Sequence, residues 1–263
     1  MRKPVLLIIP AYNEEMNIGT VLRLLQDAGI PEQMDLLVIN DGSRDNTLQV
    51  ARDCGVEVLD QSFNMGYGAA LQSGYKYAVR YGYEYVLQMD ADGQHDLRSL
   101  KALLDRIRGN VPQSGDPDDR GIGETRVPDI VIGSRFLKGS ETFAVSGLKK
   151  FAIAQFCFVI HSLTGYHLTD PTSGLQALNR SAFTYFSRYQ NFDIAYPDLN
   201  MIIQMLLLGY HVEEVPAIMH ERTAGVSMHS GLWSAMRYMI IMTLSTWNVY
   251  TANRKVSNRK KAS

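Results

Sequence analysis

Val5 to Ile9 is an unbroken apolar run bounded by Pro4 and Pro10, which predicts a strand buried on both faces, as in a parallel sheet. Ile18, Val21, Leu22 and Leu25 then recur at helical spacing up to Gly29. A second β-type run, Leu36 to Ile39, leads into Asn40, Asp41, Gly42 and Ser43, and Asp45 is placed to cap a helix running through Ala51. Val56 to Leu59 reads as a third strand. Tyr67, Ala70, Leu71, Gly74, Tyr75 and Ala78 trace one helical face, Tyr85 to Met89 a fourth strand, and Leu97, Leu100, Leu103, Leu104 and Ile107 a helix capped by Asp96. Such strand–helix alternation predicts βα units and an α/β fold, a single mostly parallel sheet flanked by helices, with ligands at the carboxyl ends of the strands.

Gly109 to Pro128 interrupts the pattern. It is rich in Gly, Pro and Asp, and predicts a mobile surface loop inserted in the domain. Ile130 to Ile132 predicts a fifth strand, Lys149 to Leu163 an apolar helix, Gly174 to Leu178 a strand, Leu199 to Leu208 a helix and Val212 to Val215 a last strand. Beyond about residue 230, Leu232, Trp233, Met236, Met239, Ile240 and Thr243 share one helical face, which predicts a C-terminal amphipathic helix over part of 231–263. The longest apolar stretches, Phe151 to Ile160 and Met239 to Leu244, fall short of the roughly 18 to 20 residues that a spanning helix requires.

Charge sharpens this division. The 263 residues carry 26 basic and 27 acidic groups, a balance that offers no footing for nucleic acid, but the groups are unevenly placed. No acid follows Glu221, whereas Arg222, Arg237, Arg254, Lys255, Arg259, Lys260 and Lys261 do, so an acidic body ends in a basic tail. Interfacial tryptophans beside that tail predict peripheral attachment to an anionic membrane surface. Two cysteines, Cys54 and Cys157, make no disulfide framework, and with no signal-peptide pattern the expectation is a cytoplasmic protein on the inner face of the membrane.

Polar groups gather after the predicted strands: Tyr12, Asn13, Glu14 and Glu15 after the first, Asp41 after the second, Asp90, Asp92, Gln94 and His95 after the fourth. Two carboxylates flanking one residue suit a hard divalent cation whose remaining places go to water and phosphate oxygens, and Gln94 adds a neutral oxygen. The plain alternative is a solvated loop with a capping Asp. Gly66-Tyr67-Gly68 does not follow the first strand and has Leu71 where a dinucleotide fingerprint wants Gly or Ala, so no such site is read. The remaining histidines show no metal-ligand spacing.

Taken together, Pro10-Ala11-Tyr12-Asn13-Glu14, Asn40-Asp41-Gly42-Ser43, Asn64-Met65-Gly66 and Asp90-Ala91-Asp92-Gly93-Gln94-His95 closely resemble the family 2 inverting glycosyltransferases of GT-A fold. Gly133-Ser134-Arg135-Phe136, Asp170 to Leu175 and Arg222 to Ser227 look like later motifs of the branch that loads sugars onto polyprenyl phosphates, the dolichol-phosphate mannose synthase type. The likeness runs from about residue 4 to 230, which sets the catalytic domain as 1–230 and leaves 231–263 as helix and tail.

The resemblance implies a Rossmann-like GT-A sheet, a UDP- or GDP-sugar donor and inverting transfer to a polyprenyl phosphate. It implies that Pro10, Tyr12, Glu14 and Asp41 hold the nucleoside, and that Asp90, Asp92 and Gln94 hold Mg²⁺ or Mn²⁺ against the diphosphate. Asp170 corresponds to an acceptor-side carboxylate, and Arg135, Arg222 and Ser227 to phosphate-binding groups; Asp170, Asp92 and Arg135 are the expected catalytic set. The chain departs from the pattern at Asn40, where many relatives have Asp, and at Met228 and His229, where the branch commonly has Lys. That leaves one acceptor-phosphate contact absent or supplied by Lys149 or Lys150. A sugar-hydroxyl acceptor, with Asp170 as base, is the first alternative; a sugar-phosphate nucleotidyltransferase and an inert membrane scaffold are the others, and the oligomeric state is open.

Overall fold

A computed structural model describes residues 2–110, 126–142, 147–194, 197, 199–221, 244–245 and 251. Most of the inserted loop, Arg222, Ser227, Met228, His229, and the C-terminal helix and basic tail apart from three residues lie outside them.

The strands are β1 (Val5–Ala11), β2 (Asp35–Asn40), β3 (Glu57–Asp60), β4 (Tyr85–Gln88), β5 (Ile130–Ser134), β6 (Gln176–Asn179) and β7 (Val212–Pro216). The helices are α1 (Ile18–Asp27), α2 (Ile30–Gln33), α3 (Thr47–Asp53), α4 (Tyr67–Tyr81), α5 (Leu97–Ile107), α6 (Gly147–Thr164), α7 (Arg180–Ser187) and α8 (Leu199–Leu208). They enclose a seven-stranded sheet of order β3-β2-β1-β4-β6-β5-β7. Every pairing is parallel except the two made by β6, which runs antiparallel to β4 and β5.

Helices cover both faces, and β1 shows why its run is wholly apolar. Leu6 and Ile8 join the core beneath α4, α7 and α8, while Val5, Leu7 and Ile9 join the core beneath α1 and α5. At about 1.5 to 3 kcal/mol for each fully buried aliphatic side chain, burial of both faces makes β1 a central contributor to the core.

One local expectation changes. Asp45 does not cap α3, which starts one residue later behind Asn46; its carboxylate instead accepts from the Thr47 amide at 3.0 Å and the Thr47 hydroxyl at 2.5 Å, bracing the turn from outside. The helix that the pattern carries up to Gly29 ends there: α1 closes at Asp27, Ala28 caps it, and Gly29 at φ +67° redirects the chain into α2. Asp96 does cap α5, accepting from the Arg98 amide at 2.8 Å.

The inverted strand decides the layout. Gln88, Gln176 and Ile132 stand side by side, so the amino end of β6 meets the carboxyl ends of β4 and β5. The loop entering β6, residues 170–174, therefore arrives on the same edge as the loops leaving β1, β2, β4, β5 and β7.

Candidate active site

The loops after β1 and β2 are knitted to each other. Asn13, the one described non-glycine residue with positive φ, at +54°, accepts from the Arg44 amide at 2.9 Å and donates its own amide to Ser43 Oγ at 3.0 Å. The Glu14 amide donates to Thr47 Oγ1 at 2.7 Å, and the Glu14 carboxylate accepts from Asn17 at 2.6 Å. Tyr12 projects exposed beside them, and Pro10 is buried within β1.

Asp41 is buried and works inward. Its carboxylate accepts from the Met65 amide at 2.7 Å, the Gly66 amide at 2.8 Å and Asn64 Nδ2 at 3.0 Å, pinning the turn that opens α4. Gly42 is required here: at φ +62°, a Cβ would meet the Phe63 carbonyl carbon at 2.4 Å.

Asp90, half-buried just past β4, accepts from the Tyr67 hydroxyl at 3.0 Å, and the Asp92 carboxylate closes its own loop by accepting from the Gln94 amide at 3.1 Å. Gln94 Nε2 donates to the His220 carbonyl at 3.3 Å, tying this loop to the one after β7. Gly174 approaches so closely that a Cβ there would lie 2.7 Å from Asp90 Oδ2, and its carbonyl accepts from the buried Gln88 amide at 3.3 Å. Among the described residues no three His, Cys, Asp or Glu side chains gather as a closed metal cluster. The donor set instead fits an open Mg²⁺ or Mn²⁺ site, in which one or two carboxylates share the ion with phosphate oxygens and water.

Arg135, at the end of β5, and Asp170, before β6, form a bidentate pair with Nε–Oδ2 at 2.6 Å and Nη2–Oδ1 at 2.7 Å; the Arg135 amide adds a third bond to Oδ2 at 3.0 Å. Asp170 is fully buried. Thr172 Oγ1 lies against both partners, and Glu214 on β7 accepts from the Thr169 amide at 2.7 Å, the Thr169 hydroxyl at 2.9 Å and the Asp170 amide at 2.7 Å. Burial pushes the Glu214 carboxyl above its ordinary value, and those bonds oppose the shift only in part. Burial also raises the Cys157 thiol to about 11, helped by the nearby Glu214 and Asp170 charges, so it is no nucleophile at neutral pH.

One edge thus unites Tyr12, Glu14, Asp41, Asp90, Asp92, Gln94, Arg135 and Asp170; Arg222 and Ser227 lie outside the described residues. Sequence reasoning did not single out Tyr67, Gln88, Thr172 or Glu214. Gln88 carried a signal, a polar residue inside the apolar run Tyr85 to Met89. Glu214 carried only that of a carboxylate within a predicted strand.

The family model for glycosyl transferase family 2 matches residues 6–114. An undecaprenyl-phosphate mannosyltransferase from Micrococcus luteus is 30% identical over 238 residues, 86% of this chain and 88% of that one. An uncharacterized protein from Methanocaldococcus jannaschii is 29% identical over 178 residues, and there the match spans 68% of this chain and 65% of the relative. Among solved structures, glucosyl-3-phosphoglycerate synthase from Mycobacterium tuberculosis, in complex with Mn²⁺, UDP and phosphoglyceric acid, superposes with a TM-score of 0.61 at 19% identity, covering 93% of this chain and 78% of that one.

Proposed function

Because this chain belongs to glycosyltransferase family 2 and is a glycosyltransferase of GT-A fold, we propose that it moves a sugar, with inversion, from a nucleotide-sugar donor to a polyprenyl phosphate. A phosphate oxygen of the acceptor forms a bond to the anomeric carbon while the bond from that carbon to the nucleoside diphosphate breaks, and the departing diphosphate keeps the electron pair. A divalent cation, when bound, stabilises the charge that grows on that leaving group. Asp90 and Asp92, with Gln94, would hold it. Tyr12, Glu14 and Asp41 frame the nucleoside end, Asp41 through the Asn64–Gly66 turn that it clamps.

The observation that favours a phosphate acceptor is the Arg135–Asp170 pair. Transfer to a hydroxyl needs a base with an oxygen available to the incoming proton. Both oxygens of Asp170 are held by Arg135, and the carboxylate is sealed from solvent. A phosphate acceptor is already anionic and makes no such demand. In this reading Asp170 orients the Arg135 fork, and Arg135 would bind the acceptor phosphate, a role that the sequence motifs extend to Arg222 and Ser227. The Micrococcus luteus relative, named for an undecaprenyl-phosphate acceptor, supports the same choice.

The test is incubation of the purified enzyme with radiolabelled UDP- and GDP-sugars and polyprenyl phosphate. Label should enter the organic phase as a mild-acid-labile glycolipid. Label that is transferred only to water-soluble sugar acceptors would reject this reading.

A further inference from the structure

We propose that His95 is a positioning residue of the donor site, acting through Asp90; this rests on the reading of Asp90 as a cation ligand. The His95 side chain is only 1% exposed, and neither Nδ1 nor Nε2 has a hydrogen-bond partner. A buried imidazole without partners is costly, and such exceptions call for a functional reason. Because both nitrogens are shut away from solvent, neither can reach a ligand in the cleft, and the ring acts only through a neighbour.

That neighbour is Asp90. Nε2 stands 3.6 Å from Oδ2, just beyond hydrogen-bond reach, while the Tyr67 hydroxyl donates to Oδ1 from the other side at 3.0 Å. Gly174 closes the slot, with space for no Cβ against Oδ2. The backbone of His95 is itself anchored by a bridge to Met219, so the pairing of two loops sets where the ring stands. Contacts of this kind tighten when substrate binds. With Tyr67 on one oxygen and His95 beside the other, the plane of the carboxylate that would face the cation is set by its two neighbours. Outer hydrogen bonds of this type are worth 10- to 100-fold in metal affinity.

The experiment is a titration of the full-length protein with Mn²⁺ alone, following the free-ion signal by electron paramagnetic resonance, with thermal melting run in parallel. His95→Leu should weaken Mn²⁺ binding about 10- to 100-fold. His95→Gln, whose amide nitrogen reaches about as far as Nε2, should bind near the wild-type level. His95→Asn keeps a polar, compact side chain that stops short of Asp90, and should bind as poorly as the leucine variant. Wild-type affinity in the asparagine or leucine variant overturns the proposal, as does equal loss in the asparagine and glutamine variants, which would mark a packing role. A wild-type protein that takes up no Mn²⁺ would instead remove the cation reading of Asp90 and Asp92 itself, and this inference with it.

Discussion

At the scale of single residues, carboxylates that look alike in the sequence do different work. Asp41 is saturated by an internal turn, Asp170 by an arginine, whereas the Asp90 side chain keeps 36% of its surface open on the edge where the loops gather. Asp41→Ala should therefore cost stability as well as nucleotide affinity, about 1 to 3 kcal/mol for the amides of Met65 and Gly66 left without an acceptor, read by urea unfolding. For the proposed cation, EDTA should abolish transfer and Mn²⁺ restore it, and Asp92→Ala should lower kcat about 10²-fold or more with little change in the urea midpoint. Asp96 gives a pH signature. Its bond from the Arg98 side chain, then those from the Arg98 amide and His220, hold its carboxyl at about 2, below the usual 3.8. The folded value lies below the unfolded one, so this contribution is complete above about pH 4 and is lost as pH falls toward 2. Unfolding midpoints measured between pH 5 and 2 should fall less steeply in Asp96→Asn than in the wild type.

At the scale of elements, the site depends on loops brought within contact by strand direction. Gly174 is the sharpest case, since a side chain there collides with a half-exposed carboxylate and not with backbone. Gly174→Ala should leave the melting temperature within a few degrees of wild type but cut transfer at least 10-fold, because misplacing a reacting group by about 1 Å costs up to 10²-fold. Gly68→Ala is the contrast: its Cβ would meet the Ile194 carbonyl oxygen at 2.3 Å, in backbone that cannot rotate aside, so stability falls with activity. The pairing of Arg106 on α5 with Glu213 on β7, both bonds at 2.6 Å and both groups nearly buried, ties the start of β7, at the end of the sheet away from the site, to the last turn of the helix that follows the Asp90 loop.

At the scale of the whole molecule, the proposed acceptor sets a physical demand, because a polyprenyl tail does not leave the bilayer cheaply. No helix among the described residues is long and apolar enough to cross a membrane. The apolar positions from Leu232 to Thr243 and the basic groups between Arg254 and Lys261 would answer that demand, at roughly 1 kcal/mol per basic residue near an anionic surface. Co-sedimentation with phosphatidylglycerol-containing vesicles should be strong at low salt, fall as salt is raised, and drop on truncation after Tyr250. A full-length chain that stays in the supernatant at low salt would refute this mode of attachment.

The hydrophobic pattern by itself determined the alternation of strands and helices, because a strand buried on both faces must be apolar throughout, as Val5 to Ile9 is, and a one-sided helix must repeat near 3.6, as Leu100 to Ile107 does. The family, too, was legible, since Asp41, Asp90, Asp92, Arg135 and Asp170 stand in motifs whose order survives in one dimension. The short helices α2 and α7 were not, being too brief for a period to show. Nor could the sequence give the direction of β6, because an isolated four-residue run has no register until its neighbours choose one. That choice brings Gly174 against Asp90 and the Asp170 loop to the donor edge. It was likewise the tertiary structure alone that set Asp170 against Arg135 and placed the buried His95 beside Asp90 but beyond hydrogen-bond reach, because which polar groups meet, across 35 residues of chain or across five, depends on how the loops pack.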